Sequence, residues 1–371
     1  MIDIFYLCLV SSTIMKYTFF LIVLMGICIS CREQMEQKEQ TPIRFFSDDS
    51  FWNTPIGENP EIDPRSDYWI SLLEEDASEQ NFGLNLYQYT IPIYEVDSTT
   101  PLVKIDQFSR FSNTGSSQSQ EFKEMGVPLP ESFLPSPGTD AHLAIIDRDR
   151  KIVWDMFYVQ KKDDGSWESA TGMVYPLDGP GTFKLDQFDV KDNESIHKYG
   201  PGRAAGVPII AGLILYDEVV SGKVEHVIAA GCRFVGYKEF VYPPATWTDG
   251  NFPNGIPEGS VIQLDPDLDL SQFDLLPGEK AIAIALQEYG ASFVDFTRGN
   301  CFYGEGLWHK EGKSWKGVVR TWHEEGSIRS IPLKHYRFLK VEDPVYKGDT
   351  IKEYFQKDHR EYEARTGNKV W

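Results

Sequence analysis

The chain has 371 residues, of which 41% are hydrophobic and 25% charged. These values exclude a globally disordered polypeptide and supply apolar side chains for one large or two ordinary domains. A formal charge of −20 opposes nucleic-acid phosphates, so nucleic acid is not expected among its partners. Aromatic residues reach 13%, which suits a large β core and also the stacking of loop rings on sugar faces.

Residues 1–14 carry Asp3 and neither Lys nor Arg, whereas Met15 opens MKYTFFLIVLMGICISC with a single cation, Lys16. A short basic start and an apolar run make an export signal, and Met15 is its expected first residue. The run is shorter than the roughly 20 residues of a membrane-spanning helix. Ser30 precedes Cys31, and polar REQMEQKEQ follows. This pattern resembles the lipobox of bacterial lipoproteins, with Cys28 standing where the pattern prefers an aliphatic residue. It implies removal of residues 1–30, lipidation of Cys31, and a place at the cell envelope where the membrane is met only through the lipid anchor. Residues 31–44 then read as a flexible tether, and 45–371 as a single large β-rich domain.

Within that domain, IDPRSDYWISLLEED predicts a helix with Tyr68, Trp69, Leu72 and Leu73 on its apolar side. LNLYQYTIPIYEV alternates like a strand, and the Ser-, Gly- and Pro-rich stretch from Phe111 to Asp140 predicts a long loop. AHLAIID, RDR and KIVWDMFYVQK form a hairpin signature, followed by a strand near Trp167. A short helix is expected over Leu213 to Val219 with Gly222 as its stop, then a buried strand in KVEHVIAAGCRF. SVIQLDP, ASFVDF and NCFYGEG read as strands. PGEKAIAIALQEYG predicts a helix from the spacing of Ile282, Leu286 and Tyr289, with Gly290 as its stop. Many short strands with few helices predict a mainly β fold, an antiparallel β-sandwich or jelly-roll with a few decorating helices.

The chemistry is expected around the hairpin. Asp140 and His142 fall two residues apart, hence on one face of a strand. A turn with an even number of residues centred on Arg148 and Asp149 sets His142 opposite Asp155, clustering Asp140, His142 and Asp155, whereas an odd turn disperses them. An imidazole held by a carboxylate serves as general acid or base, and glycosidic cleavage needs a second carboxyl across the bond. Glu168, Asp249 and Asp295 are candidates for that second group. His226, alone among apolar neighbours, is a further catalytic candidate; Arg203 in GPGRAAG is a candidate for gripping a substrate anion; Trp247 and Trp52 are candidate sugar platforms. For each residue taken singly, a structural role (a capped turn, a satisfied core histidine, a loop plug) competes with the functional one.

GxxxxGK[ST], GxSxG and HExxH are absent, and no Cys/His spacing fits zinc, so no cofactor and no metal are expected. Cys232 and Cys301 read equally as one disulfide or as two buried thiols. Taken together, SFWNTPI, GTDAHLAIID, AAGVPIIAGL, GKVEHVIAAG, YPPATWTDG and ALQEYGASFVD resemble a group of secreted or lipid-anchored microbial proteins over residues 45–305. That resemblance implies one extracytoplasmic module and assigns no activity. The expected function is a carbohydrate-active enzyme, a glycoside hydrolase acting on a polysaccharide or oligosaccharide. The alternatives are a polysaccharide lyase, with Arg203 neutralising a uronate, and a non-catalytic glycan-binding surface lipoprotein.

Overall fold

The computed structural model describes residues 43–76, 81–108, 118–184, 202–342 and 344–346. The predicted signal, Cys31 and nearly all of the tether lie outside them. The chain divides into Met1–Arg44 and a compact unit, Phe45–Trp371, to which everything below belongs. That unit is mainly β, with twenty-one strands and four α-helices among the described residues.

Two sheets dominate. The larger has eight strands in the order Thr321–Trp322, Glu325–Ser327, Gly83–Asn85, Cys301–Tyr303, Ile228–Cys232, Ala291–Phe296, Val261–Leu264 and Tyr336–Phe338. The second has five: Thr171–Pro176, Ile152–Phe157, Leu143–Asp147, Ile91–Val96 and Glu305–Gly306. Both mix parallel and antiparallel pairs. Gly83–Asn85 runs parallel to Cys301–Tyr303, Ile228–Cys232 to Ala291–Phe296, and Ile91–Val96 to Leu143–Asp147. Each parallel pair is joined by the long excursion that such pairing requires. Two segments serve both sheets. Residues 83–96 and 301–306 run side by side out of the larger sheet, pass Gly304, and pair again in the smaller one, Glu305 opposite Ile91. The Thr90 hydroxyl donates to the Gly304 carbonyl at this crossing.

The Ser66–Asp76 helix buries Trp69, Leu72 and Leu73 and leaves Tyr68 exposed. Its Trp69 meets Phe338 of the sheet edge to face at 5.1 Å. The Pro277–Glu288 helix begins with proline at its first turn and a Glu279 carboxylate that accepts from the Leu276 N–H. It ends before Gly290, whose φ of 73° and closeness to the Ile262 carbonyl leave no room for a side chain. The third predicted helix starts at Tyr216 because residue 214 is engaged by the sheet: the Ile214 N–H donates to the Tyr303 carbonyl. Gly222 stops it in the left-handed region, as the sequence predicts.

Inside the predicted Phe111–Asp140 loop, Gln120–Met125 is helical. The Ser119 hydroxyl caps it by accepting from the Phe122 N–H, and Gly126 ends it. Its Phe122 packs where a side chain on Gly172 would otherwise sit, and Gly126 accepts from the Trp154 indole at 2.9 Å. The smaller sheet thus has an apolar outer face carrying Leu143, Ile145, Trp154 and Met156. Its other face carries Ala144, Ile146, Val153 and Asp155, by the alternation of the pleat.

Candidate active site

The hairpin pairs Asp147 with Ile152, Ala144 with Asp155 and Leu143 with Met156. The turn, Arg148 to Lys151, therefore has the expected even parity, but its centre lies one residue further along than expected. Asp147 causes the difference. Its buried carboxylate accepts from the Arg150 N–H at 2.8 Å and the Arg150 Nε at 2.6 Å, and Lys151 then takes a φ of 55° to close the loop. The expected opposition of His142 and Asp155 is thereby corrected: Asp155 faces Ala144, and His142 lies against Phe157 with ring centroids 5.6 Å apart. Shared parity still keeps His142 and Asp155 on one side. Asp140 is corrected too, since Ala141 has a φ of 43° that breaks the extended backbone and leaves Asp140 half-exposed ahead of the strand.

Asp155 is fully buried and organises the segment after Gly202. It accepts from the Gly202 N–H at 2.8 Å, the Ile209 N–H at 2.7 Å and the Tyr175 hydroxyl at 3.2 Å. Burial raises its pKa to about 6 against these three lowering bonds. Gly202 must be glycine: a Cβ there would stand 2.3 Å from Ile209 and 3.4 Å from the His142 ring. Ser136 clasps the His142 backbone on both sides, accepting from its N–H and donating to its carbonyl. Burial depresses the His142 pKa, opposed by the nearby Asp140, and its Nδ1 has no hydrogen-bond partner.

The loop held by Asp155 delivers Arg203 to Asp295 of the larger sheet. Arg203 Nη1 lies 2.6 Å from Asp295 Oδ2, its Nη2 donates to the Ile209 carbonyl, and its guanidinium stacks 4.0 Å above the Tyr303 ring. The other Asp295 oxygen accepts from the Ala204 N–H at 3.2 Å. Tyr303 also bonds to Asp295, and burial together with that carboxylate pushes its hydroxyl pKa far up. A register shift between Ala230 and Gly231 brings Gly231 opposite Asp295. Gly231 supplies the open space in which the Tyr303 hydroxyl sits. The Arg203 side chain is 0% exposed and that of Asp295 18%, so the cation is enclosed and the carboxylate reaches solvent.

Two more carboxyls complete the site. Asp249 follows Thr248, whose hydroxyl reaches the Gly236 carbonyl at 3.4 Å and accepts from the Gly250 N–H. Burial, then the Asp295 charge, raises the Asp249 pKa to about 7. Glu258 is wholly buried at the end of Ile256–Glu258, where the Thr248 hydroxyl and the Asp249 N–H are the donors beside it. Burial and the charges of Asp249 and Asp295 hold it protonated far above the usual carboxylate range.

Of the sequence-predicted residues, Asp140, His142, Asp155, Arg203, Asp249 and Asp295 are brought together. His226 stands at the opposite end of the Ile228–Cys232 strand from Gly231, where its ring meets Glu218 at 3.2 Å and the Val227 carbonyl at 2.9 Å. Trp247 is 7% exposed and lines the Ala205 backbone, so the expected open platform is an interior plug. Trp52 is likewise buried, donating to the Gly181 carbonyl. Arg203 is internal rather than poised for a substrate anion. Glu168 bonds to Gln160 in a separate small sheet. Glu258, Tyr303 and Tyr175 were not anticipated. The available signals were Glu258 closing an apolar strand and Tyr303 two residues from Cys301 in the alternating NCFYGEG.

Cys301 pairs with Gly231, so the next residue along, Cys232, points to the opposite face. Both thiols are buried and neither is in a disulfide, and burial raises that of Cys301 to about 11. Among the described residues no group of three or more His, Cys, Asp or Glu is arranged to hold a metal ion, and no helix is long and apolar enough to cross a membrane. No protein-family model matches the chain, and neither a curated protein nor a solved structure is similar to it.

Proposed function

We propose that the chain is an extracytoplasmic carbohydrate-active enzyme, a glycoside hydrolase carried at the cell envelope on lipidated Cys31, with Asp249 and Asp295 as its acid and its charge-stabilising carboxylate. The observation that carries this reading is the contrast between two carboxyls in one site. Asp295 is ion-paired with Arg203 and partly open to solvent, whereas Asp249 lacks a cation and keeps its proton up to about pH 7. Opposed environments on neighbouring carboxyls are what acid/base division of labour requires.

Asp249 donates its proton to the glycosidic oxygen as the bond to the anomeric carbon breaks. Asp295 faces the positive charge that develops there, and water adds its hydroxyl to that carbon while returning a proton to Asp249. Arg203, Tyr303 and the Ala204 N–H fix the Asp295 carboxylate, so they act through it. The lyase alternative is less well supported, because the Arg203 guanidinium is enclosed and already engaged by Asp295 and Ile209. A polysaccharide panel read by reducing-end release tests the reading. Asp249→Asn and Asp295→Asn are each expected to lower turnover by about 10²–10⁴-fold. Wild-type turnover should fall as pH rises through about 7, when Asp249 loses its proton. Full activity in both variants overturns the assignment, and an ultraviolet-absorbing unsaturated product would make the enzyme a lyase.

A further inference from the structure

Resting on the hydrolase reading, we propose that Trp322 is a distal platform for a neutral pyranose polysaccharide, engaging the chain at a distance from the bond that is cleaved. The two indoles that the sequence offered as platforms, Trp52 and Trp247, are buried. Trp322 is 72% exposed, the most exposed large hydrophobic side chain among the described residues. It is held firmly for so open a group. Thr321–Trp322 and Glu325–Ser327 form the outermost hairpin of the larger sheet, with Trp322 opposite Glu325 and only His323 and Glu324 between them. Both turn residues adopt the left-handed backbone of a tight hairpin, with φ of 49° and 70°. Glu325 accepts from the N–H groups of Leu86 and Gln88 at 2.7 Å and of Tyr87 at 3.3 Å. Ahead of the other strand, Arg320 is anchored by Glu279 and Asp274. The His323 ring stands 4.9 Å from the indole with the planes 80° apart, bracing it without lying flat over it.

The surroundings of the indole select the ligand. One exposed ring bordered by Thr321, His323 and Glu324 is far too small for a protein interface, which takes about 800 Å² from each partner. A two-residue edge strand is too short to template another strand. A flat apolar ring bordered by hydroxyl, imidazole and carboxylate matches a pyranose, whose face is C–H and whose rim is hydroxyl. Glu324 beside it and the overall charge of −20 disfavour a uronate or sulfated glycan. Topology joins this platform to the site. Leu84 pairs with Gly326 on one flank and Phe302 on the other, and Leu84 and Phe302 face the core. Their neighbours Glu325 and Tyr303 therefore project from the opposite side, and Trp322 shares it with Glu325. Tyr303 bonds to Asp295. The strands of Trp322 and Asp295 are separated by spacings of about 4.8 Å that bring the total to roughly 24 Å, so only an extended chain reaches both.

The test runs the full chain in affinity gels containing soluble β-glucan, xylan, galactomannan or amylose, with polygalacturonate as the acidic comparison. At least one neutral polymer is expected to retard the wild type, and Trp322→Ala to weaken that binding about tenfold. Trp322→Tyr keeps a ring and is expected to stay within about threefold of the wild type. On the polymer that is cleaved, Trp322→Ala should lower the ratio of polymer to trisaccharide kcat/KM about tenfold. Should that variant fail to fold, oxidation of the wild-type indoles by N-bromosuccinimide, mapped by mass spectrometry, decides: the retarding polymer must protect Trp322. No retardation by any neutral polymer, stronger retardation by polygalacturonate, or equal retardation of wild type and Trp322→Ala overturns the proposal. Retardation that is lost in Trp322→Ala, with no polymer cleaved, sustains it and overturns the hydrolase reading. Cleavage with an unchanged ratio does the reverse.

Discussion

Replacing Asp155 by Ala removes one carboxylate and strands three donors: two backbone N–H groups and the Tyr175 hydroxyl. Buried donors without partners are costly, and the expected loss of stability is about 3–5 kcal/mol, measured by urea unfolding. The variant should also lose activity, because the loop carrying Arg203 hangs from this side chain. Asp249 makes a different prediction. Its folded pKa, about 7, lies above its ordinary value of 3.8. The folded state therefore holds this proton more tightly than the unfolded state, so its contribution to stability is complete below about pH 4 and lost as pH rises through about 7. Asp249→Asn should flatten that decline, seen as a smaller change in urea midpoint between pH 4 and 8 than in the wild type. At this scale the sequence was informative where a polar residue interrupts an apolar strand, as Asp155 and Asp295 do. For Glu258 the only signal was its place at the end of an apolar strand, which does not reveal that it is buried, because that depends on what packs above it.

Among the elements, the hairpin shows how far local pattern reaches. Alternation fixed which residues share a side, but the register was set by Asp147 gripping Arg150, a side-chain-to-backbone bond that strand spacing does not encode. The Gln120–Met125 helix was missed for a related reason: Ser119 and Gly126 mark its ends, yet six residues amid Ser and Pro carry too little periodicity to stand out. In the Gly202–Leu213 segment the sequence offered Arg203 as a candidate but not the loop's course, because its shape is imposed by contacts with both sheets. Gly202→Ala would drive a methyl to 2.3 Å from Ile209. It is expected to cost about 1–3 kcal/mol and to displace Arg203, lowering turnover more than substrate affinity.

At the scale of the whole molecule, the β-rich class was legible from the many short runs between turn residues, and the parallel pairings were not, since they join segments far apart in sequence. The site spans both sheets, with Asp155 from the smaller and Asp295 from the larger. Unfolding is accordingly expected to be one transition, with tryptophan fluorescence and far-ultraviolet circular dichroism melting together; separated midpoints would contradict this. The crossing at Gly304 supplies the reason and a further consequence. Because two adjacent segments are woven through both large sheets, a cut anywhere between residues 97 and 300 leaves neither of those two sheets complete in one piece. Joining end to end one module for each large sheet would therefore not generate this architecture. Its surface loops remain free to lengthen and diversify, while the seam and the residues hung from it must change together.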